Sequence, residues 1–484
     1  MDAAPASALA PVVSACTRHC GDGCSLLVTP LPGGGLEIKG NPEHPHTRGF
    51  ICAKTARFWD RINSPERITT PLLRKGRDFE PVSWDQALGL IAGRIQDLRA
   101  TPQRMLHVLY YASFGVLFQA SRLLFTSLGA SAFSGSPCLA AGDAALKAAY
   151  GAVRQAPLSR VEHAGRIVNW GRNARMQSVH LAALLANAQK RGARILTIHP
   201  GDPGYNVPGA RQFLVRPGTD RFLAAAAAKI LLESGRLSPA ALARCADPET
   251  YLELLRRMDL EDLLQACGVT RGQAGLLADF YAPAQDGPTA TLIGRGLQRY
   301  PQGGENVRFI DALALASGNV GVDGGGVFYK QGDLKLVPAG WAQAKPGYGR
   351  TFPIHALARA VEQADPPVDF VWVEGMNLVT QCPESLATRA MLEKRFSVVV
   401  EPFLTDTARA ASVILPPALT LEWEDVTKAD SHECANLSAK VLAPRGQARS
   451  NFDIAAGLGA LLDPPVHFPD PEDVLDQTLR QGAL

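Results

Sequence analysis

The chain has 484 residues, of which 46% are apolar and 20% charged, a composition that indicates a well-packed soluble protein of several domains. Its formal net charge of +3 is nearly balanced and points to neither nucleic acid nor an anionic membrane surface as a partner. The sequence contains no apolar run long enough to span a bilayer and no basic leader. We therefore expect a cytoplasmic protein that does not insert into a membrane.

Three cysteines lie within nine residues near the start of the chain, in ACTRHCGDGCS, and a fourth follows in GFICAK. A crowded triplet with one distant partner is typical of a [4Fe–4S] ligand set, here Cys16, Cys20, Cys24 and Cys52. Two alternatives use the same residues. Zinc prefers separated pairs of ligands, and disulfides would leave one of nine cysteines unpaired in an exported chain. The spacing favours the cluster and hence a protein that transfers electrons.

After the cysteine region, short β-rich runs alternate with apolar helical segments. Ser83 is a suitable N-cap for a helix with one apolar face, formed by Ala87, Leu88, Ile91 and Ile95. FLAAAAAKILL predicts a second, buried helix. The predicted strands are MLHVLYYAS, GRIVNWG, ARILTIHPG, TATLIGRG, DFVWVEG and FSVVVEPF. Strand, glycine turn and helix in this alternation predict largely parallel α/β sheets, with ligands at the carboxyl ends of the strands.

A fifth cysteine lies in a segment that predicts a helix start, SGSPCLAAGDAALKAAYGAV. Ser136 is a suitable N-cap, Pro137 a suitable first helical residue, and Gly151 a suitable end. Cys138 would then lie in the first turn, where backbone N–H groups favour a thiolate that can act as a nucleophile or a soft metal ligand. The alternative is that Cys138 is a small buried core residue.

Two glycine-containing turns could bind a ligand. In QFLVRPGTD a strand ends at Arg216, and a helix follows with Thr219 or Asp220 as its cap. This turn can offer amides to a phosphate and a carboxylate to a base edge, although Asp220 alone is more often only a cap. In LIGRGLQRYPQGG, Gly294 and Gly296 let the backbone approach a ligand closely, but the third glycine of a dinucleotide fingerprint is absent.

Two predicted strands end in the same way, with a glycine followed two residues later by an asparagine. The pairs are Gly171 with Asn173 and Gly375 with Asn377. Two similar loops at strand ends would suit two similar halves of a ligand.

The order of these pieces resembles the dimethyl sulfoxide reductase family of molybdenum and tungsten enzymes, from about residue 12 to residue 460. The resemblance implies a catalytic subunit that holds Mo or W between two molybdopterin guanine dinucleotides and exchanges electrons with a [4Fe–4S] cluster. The segments that carry it include the cysteine set, FICAKTARFWDRINSPERITTPLLRKGRDFEPVSWDQAL, the Cys138 helix, NWGRN, RILTIHPGDPGYN, RPGTD, GRGLQRYPQGG, SGNVGVDGGG, VEGMN and DTARAASVILPPALTLEWED.

The resemblance also implies roles for individual residues. The cluster would be bound by Cys16, Cys20, Cys24 and Cys52, and the Mo or W ion by Cys138. Lys54 matches a lysine between cluster and pterin, where a cation stabilises added electrons; by itself it would read as an ordinary surface lysine. The residues implied to lie in the dinucleotide-binding loops are Gly171, Asn173, Arg216, Gly218, Asp220, Gly294, Gly375 and Asn377. Turn geometry alone is the alternative for each of them.

Three departures from the family pattern bear on function. Leu139 and Ala140 follow Cys138 where formate dehydrogenases carry a histidine, which argues against formate oxidation by that route. His199-Pro200-Gly201 stands where the family usually has Asp-Pro-Arg, so one nucleotide contact is altered. The sequence ends before the β-barrel domain of full-length members, and we therefore expect a partner subunit that supplies this domain, together with an electron-transfer subunit.

Several functions remain open at this point. The chain could be a formate or formylmethanofuran dehydrogenase-like subunit, a non-catalytic electron-transfer or scaffold subunit of a larger redox complex, or a non-redox member such as a hydratase. The domain boundaries that we expect are a [4Fe–4S] domain at 1–60 with a return near 420–460, one α/β domain at 61–135 plus 335–420, another at 136–334, and a tail at 461–484.

Overall fold

The computed structural model describes residues 10–153, 156–201, 207, 209–329 and 340–482. Its strands, in chain order, are β1 Val12–Ala15, β2 Ser25–Pro30, β3 Leu36–Gly40, β4 Leu72–Lys75, β5 Asp78–Pro81, β6 Met105–Leu109, β7 Ser131–Ser134, β8 Arg166–Trp170, β9 Arg194–His199, β10 Arg211–Leu214, β11 Thr289–Ile293, β12 Gly326–Phe328, β13 Arg350–Pro353, β14 Phe370–Glu374, β15 Phe396–Val400, β16 Val413–Leu415, β17 Asp425–Thr427 and β18 Asn436–Ser438.

The helices surround and connect these strands. They are α1 Ala53–Ala56, α2 Phe58–Ile62, α3 Trp84–Asp97, α4 Ala120–Leu128, α5 Ala140–Tyr150, α6 Ala174–Gln177, α7 Val179–Lys190, α8 Asp220–Glu233, α9 Pro239–Leu242, α10 Pro248–Arg257, α11 Leu260–Cys267, α12 Arg271–Tyr281, α13 Gly303–Ala316, α14 Leu357–Glu362, α15 Leu378–Gln381, α16 Ser385–Glu393, α17 Asp406–Ala410, α18 Asn451–Ala460 and α19 Pro471–Gly482. Among the described residues, no helix has both the length and the apolar character needed to cross a bilayer.

A five-stranded sheet forms the middle of the chain, in the order β10-β9-β8-β11-β12. All of its strand pairs are parallel. Every residue of β8 and β11 is buried, because helices cover both faces of a parallel sheet and its inner strands have no solvent face. Three of the predicted strands, GRIVNWG, ARILTIHPG and TATLIGRG, correspond to β8, β9 and β11.

An eight-stranded sheet draws its strands from both sides of that segment, in the order β13-β7-β6-β14-β15-β16-β4-β5. The first six strands are parallel, and the β4–β5 hairpin adds two antiparallel strands at one edge. The remaining predicted strands correspond to β6, β14 and β15. The predicted α/β class with largely parallel sheets is therefore confirmed, while the exact domain boundaries remain a prediction.

Both helices predicted from sequence pattern are present. Ser83 caps α3 through a capping box with Gln86, and the four predicted apolar residues of this helix are buried. FLAAAAAKILL lies in α8, where Ala224 to Ala228 are buried. Lys229 in the same helix is also buried, and its ammonium group donates to the carbonyl oxygens of Leu255 and Arg256 at 3.1 and 3.3 Å. These bonds satisfy a charge that would otherwise be costly inside an apolar helix.

The cysteine region forms a small unit with a segment from far along the chain. Strands β1, β2 and β3 make an antiparallel sheet, and the β17–β18 hairpin packs beside it. Ser431 N donates to the carbonyl oxygen of Gly21 at 2.8 Å, and the Asn436 side chain donates to that of Gly23 at 2.9 Å. The loop that carries three of the cysteines is thus held by residues more than 400 positions later.

Candidate active site

The four predicted cluster cysteines come together at one end of the cysteine unit. Cys16 directly follows β1 and Cys24 directly precedes β2; the amide of Cys16 donates to the carbonyl oxygen of Cys24 at 2.8 Å and closes the loop. Cys52 lies at the N-terminus of α1. The Thr55 hydroxyl, one turn into α1, lies 3.6 Å from the sulfur of Cys16 and 3.4 Å from that of Cys52. All nine cysteines of the chain are free thiols.

The electrostatics of these thiols fit a cationic inorganic group. Burial raises the pKa of Cys16 and of Cys24, and burial together with the Asp22 charge raises the pKa of Cys20 to about 12. Burial also opposes ionisation of Cys52, but hydrogen bonds from Thr55 and Lys54, together with the Lys54 charge, outweigh it, so the pKa of Cys52 is lowered. Four gathered thiolates need compensating positive charge, which the iron ions of a [4Fe–4S] cluster supply when bound.

A cavity of about 1140 Å³ joins the cluster cysteines to Cys138. Lys54, Gly375 and Asn377 also line it. The cavity is large enough for an extended organic cofactor. The structure thus brings the five cysteines, Lys54 and one of the two Gly-x-Asn loops to a single space.

The environment of Cys138 differs from the predicted helix start. Helix α5 begins at Ala140, two residues after the cysteine. The Ser136 hydroxyl accepts from the amide of Cys138 at 3.3 Å, and this local turn, with Leu139 outside the helical region at φ −137°, delays the helix. The predicted end at Gly151 is confirmed, with φ +71°. Cys138 therefore lies on a turn that enters α5.

Two residues that sequence reasoning missed stand beside Cys138. The guanidinium of Arg299 lies 3.3 Å from the sulfur of Cys138. The Tyr110 hydroxyl is 3.0 Å from that of Ser136, and burial raises the pKa of Tyr110. Arg299 belongs to GRGLQRYPQGG, a segment in which the sequence pattern indicates a role for the glycines but not for the arginine. Arg299 thus places a positive charge beside the sulfur of Cys138.

Glu401, at the end of β15, is a third residue of the cavity that the sequence did not single out. Burial raises its pKa to about 7, and the amide of Phe403 donates to its carboxyl group at 3.3 Å. Its protonation therefore changes near neutral pH, the property expected of a group that takes up or releases protons.

The two Gly-x-Asn loops have the same local geometry. Gly171 after β8 has φ +66° and Gly375 after β14 has φ +71°, a conformation that favours glycine. Asn173 and Asn377 then occupy the N-cap positions of the short helices α6 and α15. The Asn173 side chain accepts from Met176 N, whereas that of Asn377 accepts from the Thr407 hydroxyl at 2.6 Å.

The loop after β8 also carries a buried cation. Arg172 is 6% exposed, and burial lowers its pKa to about 10. Its Nη1 is buried and has no hydrogen-bond partner within the part of the chain that the structure describes. Gly294, predicted for the same binding role, lies directly beside this loop, with its amide donating to the carbonyl oxygen of Trp170 at 2.8 Å. A buried guanidinium with a spare donor suits a phosphate group of a dinucleotide.

The polar side chains of the RPGTD turn mainly form hydrogen bonds that stabilise the fold. Arg216 donates to the carbonyl oxygens of Gln265 and Ala266 at 3.0 and 2.7 Å. Asp220 is the first residue of α8, is buried, and accepts from the Trp170 ring nitrogen at 2.8 Å; burial raises its pKa to about 6. Arg216, Gly218 and Asp220 do not line the large cavity, and their nucleotide roles remain predictions. Of the predicted GDPGYN loop, residues 202–206 lie outside the described residues.

The fold and the cysteine arrangement define a class. The sequence matches the Molybdopterin oxidoreductase family over residues 67–460 and the Molybdopterin oxidoreductase Fe4S4 domain over residues 10–64. The chain therefore belongs to the molybdopterin oxidoreductase family, and the predicted resemblance is confirmed. Its cofactors are a [4Fe–4S] cluster and a molybdopterin that carries Mo or W, the dinucleotide form being the norm of the family.

Individual relatives are similar over most of this chain. Probable oxidoreductase YyaE of Bacillus subtilis (strain 168) is 32% identical over 90% of this chain and 67% of its own length. Probable oxidoreductase YoaE of the same organism is 29% identical over 97% of this chain and 71% of its own length. Acetylene Hydratase from Pelobacter acetylenicus has the same fold, with a TM-score of 0.80, 18% identity, and coverage of 98% of this chain and 72% of that one.

Proposed function

We propose that this chain is the catalytic subunit of its oxidoreductase, with Cys138 as the protein ligand of Mo or W and with electrons leaving or entering through the cluster at Cys16, Cys20, Cys24 and Cys52. The observation that carries the proposal is that both ligand sets line one cavity, with Lys54 beside them. A redox centre and an electron carrier that share a cavity need no long path between them.

The chain's own residues prepare this cavity. When bound, the molybdopterin-held metal supplies the two-electron chemistry. Arg299 donates to the Cys138 sulfur and gives the neighbouring space a positive charge. Lys54 adds a second cation to the wall of the same cavity. Glu401 can hold a proton at its carboxyl oxygen near neutral pH. This charge pattern favours small anionic substrates.

Replacing the sulfur ligand tests the proposal. In Cys138→Ala, molybdenum or tungsten content should fall at least ten-fold and turnover at least a hundred-fold, because the metal loses its only proposed protein ligand. Iron should stay at about four per chain, since the cluster ligands are untouched. The measurements are elemental analysis and viologen-linked turnover with a panel of small anions that includes nitrate and formate.

The matched control is Cys245→Ala, which removes a thiol that donates to a backbone carbonyl of its own helical segment. It should behave as the unmodified protein does. Unchanged metal content and turnover in Cys138→Ala would contradict the ligand role. Purified native protein with iron but neither pterin nor Mo or W would instead support a non-catalytic electron-transfer or scaffold subunit.

We also infer that other subunits assemble on this chain, one covering the cavity and one accepting electrons. The cavity wall includes Met176, whose side chain is 75% exposed and would gain from a cover. Among the relatives is an F420-dependent formate dehydrogenase subunit alpha, 23% identical to this chain. Purification of the native complex and identification of its chains test this inference, and a monomer with full turnover would contradict it.

A further inference from the structure

A chain of hydrogen-bonded polar side chains crosses the core between the eight-stranded sheet and helix α4, and it plays no part in the proposed function. Nδ1 of His107 lies 2.8 Å from the Tyr348 hydroxyl, and its Nε2 lies 3.1 Å from the Ser121 hydroxyl. The Ser121 side chain in turn bonds to the Glu374 carboxyl group. His107, Ser121 and Glu374 are at most 2% exposed. Polar groups are costly in such a core unless their hydrogen bonds are made, and these four residues satisfy one another from end to end.

The two ends of this chain lie at two different cavities. Tyr348 lines a cavity of about 270 Å³, whose wall also includes Gln343, an exposed residue through which solvent can reach it. At the other end, Glu374 directly precedes Gly375 in the sequence, and its Oε1 accepts from the Asn451 side chain at 2.6 Å. Gly375 and Asn451 both line the cavity of the proposed active site. The chain therefore connects a small outer cavity to the wall of the active-site cavity.

His107 can take up a proton at one ring nitrogen while it releases one at the other. Both nitrogens face hydroxyl groups, which can donate or accept, so either nitrogen can carry the ring proton. Burial and the nearby Arg122 charge lower the pKa of His107 well below its ordinary value, so the ring is neutral and holds a single proton. The Phe125 ring stacks on the imidazole with the centroids 4.5 Å apart and fixes its plane. These are the properties of a histidine that passes protons on.

Glu374 is suited to receive the proton at the inner end. Burial raises the pKa of Glu374, although Ser121, Trp372 and Asn451 bond to its carboxyl group. The Trp372 ring nitrogen donates to its Oε2 at 2.9 Å, and the Asn451 side-chain nitrogen donates to its Oε1. Both of these nitrogens are donors only. The Ser121 hydroxyl is the partner that can accept from a protonated Glu374, so the proton enters and leaves this carboxyl group through Ser121.

The chain has two arrangements of its hydrogen bonds that differ by one proton. With Glu374 ionised, Ser121 donates to the carboxylate, His107 Nε2 donates to Ser121, and the Tyr348 hydroxyl donates to His107 Nδ1. With Glu374 protonated, each of these bonds runs in the opposite sense, and the Tyr348 hydroxyl donates into the outer cavity. A proton that arrives at the Tyr348 oxygen thus moves one proton across each bond and leaves the last one on Glu374. Every group keeps its hydrogen bonds in both arrangements.

We propose that Tyr348, His107, Ser121 and Glu374 conduct a proton from the outer cavity to the wall of the active-site cavity when an electron enters that cavity. The added negative charge disfavours the Glu374 carboxylate, and protonation removes the like charge beside it. The electron comes from the reductant and the proton from water in the outer cavity, so no bond other than those to this proton forms or breaks. The proposal rests on the proposed function only for the electron, and reduction of the [4Fe–4S] cluster alone supplies one.

Proton uptake during reduction tests the path. Native protein with an intact cluster is mixed in a stopped-flow instrument with reduced methyl viologen, which releases no proton, and a pH indicator follows the solution. In Ser121→Ala and in Tyr348→Phe, uptake should slow by about a hundred-fold, because each variant removes one hydroxyl from the chain. The matched control is Ser127→Ala, in the same helix as Ser121, whose hydroxyl bonds to the carbonyl oxygen of Leu124; its uptake should be as fast as in the unmodified protein.

Reduced-minus-oxidised infrared spectra follow Glu374 itself. Reduction should produce the C=O band of a protonated carboxyl group that shifts in D₂O and is absent in Glu374→Gln; in Ser121→Ala the same band should appear, but later. If Glu374→Gln fails to fold, Tyr348→Phe, at the edge of the outer cavity, still gives the answer through its uptake rate. A band that never appears or that survives in Glu374→Gln would overturn the proposal, as would unchanged uptake in both hydroxyl variants. Protein that lacks Mo and W yet shows the band would support the path while contradicting the proposed catalytic role.

Discussion

At the scale of single residues, Thr55 has the most direct control over the cluster ligands. Its hydroxyl is the side-chain group within hydrogen-bond reach of both Cys16 and Cys52. Hydrogen bonds to cluster sulfurs stabilise the more negative, reduced state and so raise the reduction potential. A threonine three residues after a cysteine is not a motif that predicts a role. The contact of Thr55 with Cys16, 39 residues earlier, arises only in the fold.

Thr55→Val removes this hydroxyl and keeps the shape of the side chain. The cluster potential should fall by about 40 mV, because one hydrogen bond contributes about 1 kcal/mol and the transfer involves one electron. Thr55→Ser, which keeps the hydroxyl, should retain most of the original potential. A redox titration followed by EPR measures both. Equal potentials in the unmodified protein and Thr55→Val would show that the hydroxyl does not act on the cluster.

Asp425 is a buried carboxyl whose ionisation opposes folding. Its Oδ1 accepts from the amides of Leu117 and Val426 at 2.9 and 2.8 Å, yet burial raises its pKa from 3.8 to about 7. Between pH 4 and 7 the folded state therefore binds more protons at this site than the unfolded state does. The contribution of Asp425 to stability is fully present below pH 4 and is lost as the pH rises through 7.

Asp425→Asn should remove this pH dependence while its side-chain oxygen still accepts from both amides. The free energy of unfolding of the variant, relative to the unmodified protein, should rise between pH 4 and 7 by up to about 1.4 kcal/mol per pH unit. Urea denaturation at several pH values measures the difference. Asp85→Asn, at an exposed position of α3, is the control and should show no such trend. A constant difference across this range would contradict the assignment.

At the scale of elements, local patterns predicted those helices and strands whose signals lie within a few neighbouring residues. Ser83 and Gln86 fix the start of α3 by themselves, and the buried strands β8, β11 and β14 read directly as apolar runs. The sequence pattern predicts the start of α5 three residues too early, because the Ser136 hydroxyl bonds to the amide of Cys138 rather than to one deeper in the helix. The proximity of Arg299 to Cys138 joins positions 161 apart and was not predictable locally.

An ion pair clamps the segment after α2 to the segment after β16. The guanidinium of Arg67 bonds to both carboxylate oxygens of Glu422, at 2.7 and 2.5 Å, and both side chains are fully buried. Glu422 also accepts from the amides of Leu419 and Arg445 at 2.7 and 3.0 Å. Such a pair specifies how the segments meet, because either charge alone would be buried without compensation.

Arg67→Met should therefore destabilise the protein by about 3–5 kcal/mol, since it leaves the Glu422 carboxylate unpaired in the interior. Arg67→Met/Glu422→Gln should recover part of this loss, because glutamine carries no charge and its oxygen still accepts from one of the two backbone amides. Chemical denaturation measures both free energies of unfolding. If the double variant were as unstable as the single one, packing rather than charge would account for the loss.

At the scale of the whole molecule, the sequence could specify the class but not the assembly of the site. Cysteine spacing, Gly-x-Asn strand ends and the order of motifs sufficed to predict the fold class and the family. The five-stranded sheet comes from residues 166–328, while the eight-stranded sheet uses strands on both sides of it. Which loops then face the same cavity depends on this arrangement, and Gly375 reaches the cavity whereas Asp220 does not.

The distant anchoring of the cysteine loop has a consequence for biosynthesis. A ribosome releases the triplet early, but the serine, histidine and asparagine that hold its backbone are translated some 410 residues later. Until then the cysteine loop of the nascent chain lacks the hydrogen bonds that hold its backbone. Contacts between such distant positions also form slowly. Iron–sulfur loading in its finished geometry must accordingly wait until Asn436 has been translated, long after the cysteines themselves.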